Sequence, residues 1–412
     1  MKKILSIILL VYSILGFGQL QVHTMNITAN DLVYDAITNK IYASIPSSNG
    51  SNGNSIGVIN PSTRVLENTI FMGSEPSVLA ISDNGQYIYS GFSGTSTVRR
   101  FNIASQTAGI QYSLGSDTWS GSYYVEDIEV MPGYPETIAV SRRNVGYSPR
   151  HEGVAIYDDN IMRPTTTPDH SGSNKIEFTS QNSLIGYNNE STEYGIRRLS
   201  VNSAGVTNVS VTQSVLSNFY LDFIYHDNRM YATDGKVVDV TAAPFVSGQF
   251  ANVSGPVTYD TYYNKVCFAS YDYSGNITFK RFNPNTFLIT DNLPITQSFG
   301  TVKSIITCGN GCYAFNTADN KIIIINDSTL GSFDKDVGPT VTVFPNPTSD
   351  FVQISSDAQI IDVKILDING RVINDLDFAN NTLDLRTLSS GIYIAQMSDG
   401  NGAVTTKKII KK

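Results

Sequence analysis

Charged side chains and histidine are scarce in this sequence of 412 residues, and long helical patterns are absent. Charged residues make up only 16% of the chain, and no segment has the extended amphipathic spacing of a helix, which excludes a helical bundle. The longest apolar run, from Ile4 to Leu15, has 12 residues and falls short of the ~20 that cross a bilayer. We therefore expect no transmembrane segment.

The four histidines, His23, His151, His170 and His226, do not have the spacing of metal ligands. The three cysteines have no histidine nearby that would complete a zinc site. The sequence therefore predicts no metal site and no cofactor, and it offers no catalytic residue.

Basic residues are fewer than acidic ones, 28 against 36, which gives a formal net charge of -8. Lys2 and Lys3 precede the apolar run and Gly16-Phe17-Gly18 follows it, an order typical of a signal peptide over residues 1–18. Cleavage before Gln19 changes the charge to -10, because 26 basic residues then face 36 acidic ones. Such a surface disfavours nucleic acid and anionic membranes as partners.

Aromatic and small polar residues are what the chain has in abundance, with 23 tyrosines and 19 phenylalanines among many glycines, serines, asparagines and threonines. This composition favours short strands and turns, and so an all-β fold. A pattern of an apolar, an aromatic and a small residue recurs seven times, more loosely in two units. The small residue of each unit stands at position 43, 90, 139, 186, 232, 269 or 314.

A second column of apolar residues, each next to a turn, recurs 41 to 56 residues apart. Its members are Ile59, Phe101, Tyr157, Leu199, Val240, Phe282 and Ile325. Units of about 40 to 45 residues with four short strands are typical of β-propeller blades, since one blade alone cannot bury both faces. We predict a seven-bladed β-propeller over residues 19–330, in which the small residues let neighbouring blades approach. Gln21 to Ile27 is expected to supply the missing strand of the last blade and close the ring.

The clearest repeat motifs lie in residues 54–91, as Ser55-Ile56-Gly57-Val58-Ile59-Asn60 and Ile81-Ser82-Asp83-Asn84-Gly85-Gln86-Tyr87. These segments resemble YVTN-type and lactonase-type propeller repeats, although only the period continues beyond the second blade. The single tryptophan, Trp119, argues against WD40 repeats and tryptophan-docked propellers.

A different pattern begins at Val341, after a connector over residues 331–340 that is rich in glycine, aspartate and proline. Alternating strands and turns over residues 341–412 predict a small β-sandwich. Four short motifs punctuate this segment in a fixed order. They are Phe344-Pro345-Asn346-Pro347, Asp367 with Gly370-Arg371, Gly391-Ile392-Tyr393, and Lys407-Lys408-Ile409 with Lys411.

These four motifs resemble, in order, the type A C-terminal sorting domain of the type IX secretion system. The resemblance implies passage through the periplasm and across the outer membrane of a Gram-negative bacterium, with the secretion machinery as partner. It also implies a cargo that is released or attached to the cell surface, usually after cleavage of the domain. An adhesive β-sandwich with a basic tail is the alternative.

Basic and aromatic residues are concentrated in the third unit. Arg142, Arg143, Tyr147, Arg150 and His151 fall in what we interpret as its longest insertion, and the preceding inter-blade connection contains Trp119, Tyr123 and Tyr124. Guanidinium groups bind anions through paired hydrogen bonds and aromatic rings stack, so we predict an anionic or glycan ligand here. An exposed loop without a ligand is the alternative.

Cys308 and Cys312 flank the turn Gly309-Asn310-Gly311. An oxidising destination permits a disulfide between them across this hairpin. Alternatively, Cys312 fills an apolar core position, as does Cys267, because both stand at the apolar position of the repeat motif.

A secreted or surface-bound propeller that binds protein or carbohydrate, without enzymatic activity, is our first hypothesis. A propeller enzyme of the lactonase, lyase or glycosidase type is the alternative. Carboxylates and histidine converging on the central channel would favour the enzyme, and a channel mouth lined only by serine, asparagine and tyrosine would count against it.

Overall fold

Short β-strands joined by turns build nearly the whole chain, as its β-branched and aromatic residues predict. The computed structural model describes residues 19–328, 341–356, 359–367, 371–373, 376, 378–399 and 404–412. The chain divides into two compact units, Met1–Ser328, the body, and Thr329–Lys412, the tail. The predicted signal peptide over residues 1–18 and the predicted connector over residues 331–340 lie outside the described residues.

The described part of the body contains seven antiparallel sheets, which we number as blades 1 to 7. Blade 1 consists of Leu32–Asp35, Lys40–Ile45, Ser55–Asn60 and Val65–Phe71. Blade 2 consists of Pro76–Ile81, Tyr87–Phe92, Thr97–Asn102 and Thr107–Ser113. Blade 3 consists of Gly121–Val130, Thr137–Asn144 and His151–Asp158, with the short strands Ser116–Asp117 and Ile161–Met162 at its edges. Blade 4 consists of Lys175–Ser180, Ser183–Tyr187, Ile196–Asn202 and Gly205–Thr212.

The remaining blades follow the same plan. Blade 5 consists of Phe223–His226, Arg229–Ala232, Lys236–Asp239 and Phe245–Gln249. Blade 6 consists of Val257–Asp260, Lys265–Tyr271, Asn276–Phe282 and Ile289–Phe299. Blade 7 consists of Val302–Thr307, Cys312–Thr317, Ile322–Ser328 and the N-terminal strand Gln19–Met25. The predicted all-β propeller is therefore confirmed, with one sheet for each repeat unit.

Gln19–Met25 completes blade 7, as predicted from the missing fourth strand. It pairs antiparallel with Ile322–Ser328, so that Val22 lies opposite Ile325. Val22 also packs against the apolar cluster between blades 6 and 7. The two ends of the body are thereby joined within one sheet, and the ring is closed.

Both repeat columns occupy equivalent strands. Every small residue of the first column lies in the second strand of its blade, and each member of the second column lies in the third strand or directly after it. The aromatic residues do not all face the same way, however. Tyr42 packs between blades 1 and 2, on the side of the following blade, whereas Tyr313 of blade 7 packs against blade 6, the preceding one. Side chains alternate along a strand, so a shift of one residue in the motif reverses the side.

The body also contains a disulfide, a free cysteine and a short 3-10 helix. Cys308 and Cys312 form a disulfide across the first hairpin of blade 7, where Cys308 N also donates to Cys312 O at 2.8 Å. Cys267 is a free, buried thiol. Ser47–Asn52 forms a 3-10 helix between the second and third strands of blade 1.

The described part of the tail forms two four-stranded sheets around one apolar cluster. One sheet contains Val341–Phe344, Phe351–Ser356, Thr382–Asp384 and Phe378–Ala379. The other contains Val372–Ile373, Ile360–Leu366, Gly391–Asp399 and Val404–Lys411. Val352 of the first sheet and Ile365 and Ala395 of the second are fully buried between them. In neither unit do the described residues include a helix with the length and apolar character needed to span a bilayer.

Ring closure through the N-terminal strand generates a testable prediction. Replacing Val22 by Asp places an unpaired charge against an apolar inter-blade cluster, and we expect a loss of stability of about 2–4 kcal/mol. The measurement is the thermal unfolding midpoint of the mature protein.

Val209→Asp is the matched control, because Val209 is 64% exposed on the outermost strand of blade 4. We expect this control to change the midpoint little. Equal effects of the two substitutions would contradict a structural role for the N-terminal strand.

Candidate functional site

The first strands of the seven blades surround a central cavity of about 860 Å³. Strand direction alternates within a blade, so the loops between second and third strands and the inter-blade connections lie on one face, which we call the upper face. Asn218 and Tyr220 of an inter-blade connection and Asp234 of a loop line the cavity. The cavity therefore reaches the upper face.

Two aspartates in the cavity wall fasten neighbouring blades together. Asp31 Oδ2 accepts a hydrogen bond of 2.9 Å from the backbone nitrogen of Leu79 in blade 2. Asp127 Oδ2 of blade 3 accepts a similar bond of 2.8 Å from Ile176 in blade 4. Burial raises the pKa of Asp31 above its usual value and that of Asp127 to about 7, and these hydrogen bonds to the charged form act in the opposite direction.

A single lysine links three blades at the cavity. Lys175 Nζ of blade 4 lies 3.7 Å from Asp127 Oδ1 and 3.1 Å from Asp222 Oδ2, which precedes blade 5. Burial lowers the pKa of Lys175, but the carboxylates of Asp127 and Asp222 outweigh it and raise the pKa above its usual value. The lysine is therefore held as a cation between two acids.

Two further acids face the cavity without such a partner. Burial raises the pKa of Glu129 and of Glu177 well above the usual value, and neighbouring carboxylates raise it further. Neither glutamate forms an ion pair within the part of the chain that the structure describes. Carboxyl groups with raised pKa values hold a proton at a pH where free carboxyl groups are ionised, which is a property of general acids.

The acids and the lysine of the cavity were not predicted from the sequence. The signal that could have found them is the alternation of charged and apolar residues in Asp127-Ile128-Glu129 and Lys175-Ile176-Glu177. Successive side chains of a strand point to opposite sides. In an innermost strand, charged residues that alternate with apolar ones therefore face the channel.

None of the four histidines lines the cavity. His226 stacks on Tyr259 with ring centroids 3.8 Å apart, and His170 makes an edge contact with Tyr147 at 5.7 Å. His23 lies in the closing strand. Across the described ranges, no three or more His, Cys, Asp or Glu residues are grouped to hold a metal ion. The cavity thus has the carboxylates that would favour an enzyme but not the histidine.

Exposed aromatic rings are unevenly distributed over the described body. Ten aromatic side chains are exposed, and seven of them lie at the upper face. The seven are Phe71, Trp119, Tyr147, Phe219, Tyr220, Tyr273 and Phe299. Tyr134, Phe245 and Tyr262 lie at the opposite end of their blades. The upper face therefore carries most of the ring surface available to a ligand.

The predicted aromatic residues of blade 3 have different surroundings. Trp119 lies in a turn and its side chain is 91% exposed, while its backbone nitrogen donates a hydrogen bond of 2.8 Å to Asp117 Oδ1. Tyr147 is also exposed. Tyr123 and Tyr124 belong to the strand Gly121–Val130 and are only half-buried. Trp119 and Tyr147 are thus the members of this group that are open to a ligand.

The predicted arginines are engaged within the body. Arg142 is buried, and its guanidinium lies 5.2 Å above the ring of Tyr123. Arg143 pairs with Glu126 at 3.0 Å, and Arg150 pairs with Glu190 of blade 4. A ligand anion would have to compete with these internal partners. Their role in ligand binding stays a prediction.

The structure also corrects where these arginines lie. Arg142 and Arg143 are part of the strand Thr137–Asn144, and the loop that follows spans only residues 145–150. The corresponding loop of blade 4, residues 188–195, is longer. The long interval of the third unit comes instead from its longer strands and from the extra hairpin at Ser116–Asp117.

His151 is almost fully buried at the start of the third strand of blade 3. Burial lowers its pKa to about 3, and the charges of Arg197 and Arg142 lower it as well. Its ring lies against Gly172, where an added Cβ would come within 2.0 Å of it. His151 is therefore a neutral packing residue near neutral pH rather than a surface contact.

The motifs of the tail meet in the structure. Asn346 Nδ2 donates to Lys408 O at 2.7 Å, and Asn346 Oδ1 accepts from Ile410 N at 2.9 Å, which joins the first motif to the last. Tyr393 pairs with Ile409 across the sheet. Arg371 N donates to Asp367 Oδ1 at 2.9 Å and closes the hairpin, whose Gly370 lies outside the described residues.

Residues 342–412 match the family described as "Secretion system C-terminal sorting domain". The tail is a type IX sorting domain. The sorting domain implies the secretion machinery as partner and export to the cell surface or the medium of a Bacteroidetes-type cell.

The body resembles solved β-propellers in fold alone. Hydrazine synthase from Kuenenia stuttgartiensis superposes with a TM-score of 0.55 at 11% identity, over 74% of this chain and 97% of that chain. The Cps50 (Swd1) β-propeller domain of Myceliophteria thermophila gives a TM-score of 0.56 at 11% identity, over 74% and 98%. No curated protein sequence matches the chain significantly. The likeness to YVTN-type repeats stays a prediction.

The raised pKa of Glu129 leads to a prediction about pH. The folded protein binds this proton more tightly than the unfolded chain, so stability declines as pH rises above the ordinary value of 4.5 toward the raised one. Glu129→Gln removes the titration. We expect the substitution to raise the thermal unfolding midpoint at pH 8, through a gain in stability on the order of 1 kcal/mol, and to change the midpoint little near pH 4.

Glu136→Gln, in the turn between the first two strands of blade 3, is the matched control away from the cavity. Thermal unfolding of the wild type and both variants from pH 4 to pH 9 checks the prediction. A wild type and a Glu129→Gln variant with parallel profiles would contradict it.

Proposed function

We propose that the body is a secreted or surface-attached binding module that recognises a carbohydrate or protein ligand through the upper face. Export proceeds through the predicted signal peptide over residues 1–18 and the sorting domain. The observation that carries the proposal is the concentration of exposed aromatic rings on the upper face, seven of the ten in the described body. No cofactor or metal is required, and the net charge of -8 makes nucleic acid an unsuitable ligand.

The physical reason is the cost of leaving large rings in water. Tyr220 is 80% exposed and Trp119 is 91% exposed, although each could bury a large area against a partner. Rigid aromatic residues on loops that a stable scaffold supports are typical binding residues, because little side-chain entropy is lost when they bind. Trp119 and Tyr147 keep the predicted blade 3 site within this proposed face.

A glycosidase or lyase is the second candidate, and the cavity acids favour it. Glu129 and Glu177 offer protonatable carboxyl groups in a cavity large enough for a ligand, beside Lys175 and its partner Asp127. Such an enzyme would lose activity in both Glu129→Gln and Glu177→Gln, with the fold retained. Hydrolysis of a labelled polysaccharide panel by the wild type and by these variants distinguishes an enzyme from a binding module.

Export is tested by deleting residues 341–412. We expect the truncated chain to remain in the periplasm, because it keeps the predicted signal peptide but lacks the sorting domain needed to cross the outer membrane. The full chain should reach the surface or the medium, as followed by immunoblots of cell fractions. A truncated chain that still reaches the surface would refute the assignment of export to the sorting domain.

Recognition through the upper face is tested by single substitutions of its rings. Trp119→Ala and Tyr220→Ala are each expected to weaken ligand binding roughly tenfold or more, as for aromatic residues at the centre of an interface. The measurements are glycan arrays and pull-downs with the mature full chain. Tyr262→Ala, at the opposite end of the propeller, is the matched control.

Ligand binding that survives both upper-face substitutions but is lost in Tyr262→Ala would place the binding face on the other side. Absence of binding to any glycan or protein on the arrays would count against a binding module altogether.

A further inference from the structure

A second cavity, of about 900 Å³, opens beside the channel at the upper face. Three segments line it: residues 252–254 before blade 6, residues 270–276 between its second and third strands, and residues 299–301 before blade 7. Ser254 and Tyr271 line both this cleft and the channel, so the two cavities adjoin. Gly300 N donates to Gly275 O at 2.8 Å, which ties two of the segments together.

One cation lines the cleft. Lys280, from the third strand of blade 6, is half-buried in its wall and donates through Nζ to the backbone oxygen of Asn252. Burial lowers the pKa of its ammonium group. Within the described ranges no carboxylate forms an ion pair with it, as is also true of Lys265 and Lys303, whereas Lys40, Lys175, Lys236 and Lys321 each have one. A partly desolvated charge without a counter-charge is costly, and an anionic ligand would supply what is missing.

Aromatic rings form the apolar part of the cleft. Tyr273 is fully exposed and Phe299 is 59% exposed. The ring of Phe299 rests on Gly275, where an added Cβ would lie 2.6 Å from Cζ. Gly275 has a φ of +82°, a backbone conformation that residues with a side chain rarely adopt. The glycine therefore allows the turn and also leaves room for the ring of Phe299. The rings therefore stand at the edge of the cleft ready to stack on a flat ligand surface.

Neutral hydroxyl and amide groups make up most of the remaining polar wall, and they belong to Asn252, Ser270, Asn276, Thr278 and Thr301. The wall also contains the carboxylate of Asp272, whose two oxygens accept hydrogen bonds of 2.9 Å from the backbone and side-chain nitrogens of Asn276. Many hydroxyl and amide groups, rings for stacking and one cation are complementary to a sugar ring with an acidic group. A peptide with several acidic residues fits less well, because Asp272 in the cleft wall and Asp222 and Asp234 of the adjoining channel would repel it.

We propose that this cleft binds an acidic saccharide, with Lys280 pairing to its carboxylate or sulfate and with Tyr273 and Phe299 stacking on its rings. This proposal rests on the proposed function of the upper face and names the ligand class for one part of it. The shared chemistry is an isolated anionic group on a sugar, whether the source is a uronic acid or a sulfate ester.

The test uses the mature full chain in affinity electrophoresis through three polysaccharides: one with uronic acids, one with sulfate esters and one neutral. We expect retention by at least one acidic polymer. Lys280→Met should reduce this retention roughly tenfold or more, since the ion pair is lost while the aliphatic stem is kept, and higher salt should weaken it too. Tyr273→Ala and Phe299→Ala should reduce retention by both acidic and neutral polymers.

Lys265→Met is the matched control, because Lys265 lies at the opposite end of blade 6. Three outcomes would overturn the proposal: no retention by either acidic polymer, retention unchanged in Lys280→Met, or preferential capture of acidic peptides. Binding of another glycan or protein that depends on Tyr220 but not on Lys280 would overturn this inference while leaving the proposed function intact. Unfolding midpoints within error of the wild type confirm that the variants are folded.

Discussion

Contact between neighbouring blades is the interaction on which the whole body depends. The buried apolar residues do not form one core but seven layers, each between two adjacent blades. The layer between blades 7 and 1 illustrates the principle, since Ala43 and Ala314 meet there with Ile41 and Ile324. Burying such surface is the main favourable term in folding, and no blade can do it alone. The ring must therefore be complete for any blade to be fully stable.

The same constraint determines where chemistry is possible. Packing between blades holds the first strands around a cavity, and polar fasteners such as Asp31 to Leu79 fix their spacing. An ionised Glu129 at this cavity costs stability, as its raised pKa shows, and within the described residues it forms no ion pair that would offset the cost. Groups that cost stability without a structural role are typical of functional sites. Lys280 in the cleft is a second such group, since it is partly buried and has no ion pair among the described residues.

Features that depend on local pattern were predictable from the sequence. The period of small and aromatic residues identified the blades, and ordered motifs identified the sorting domain. The missing strand of the last blade identified Gln21 to Ile27 as the closing segment, where the structure has the strand Gln19–Met25. Features that depend on a partner from another blade were not. The guanidinium of Arg150 pairs with Glu190, which lies 40 positions away, so its engagement could not be read from the motif around it. The cavity acids also escaped prediction, because only closure of the ring turns the first strands inward.

Closure between Gln19–Met25 and Ile322–Ser328 has a consequence for quality control. The pairing joins positions about 300 residues apart, and the sorting domain begins only a short distance further along the chain. A chain whose synthesis stops before Ile322–Ser328 lacks both the strand that closes the ring and the sorting domain that directs export. The linear order thus couples completeness to delivery: only a polypeptide long enough to finish its ring can present the tail that the secretion machinery recognises.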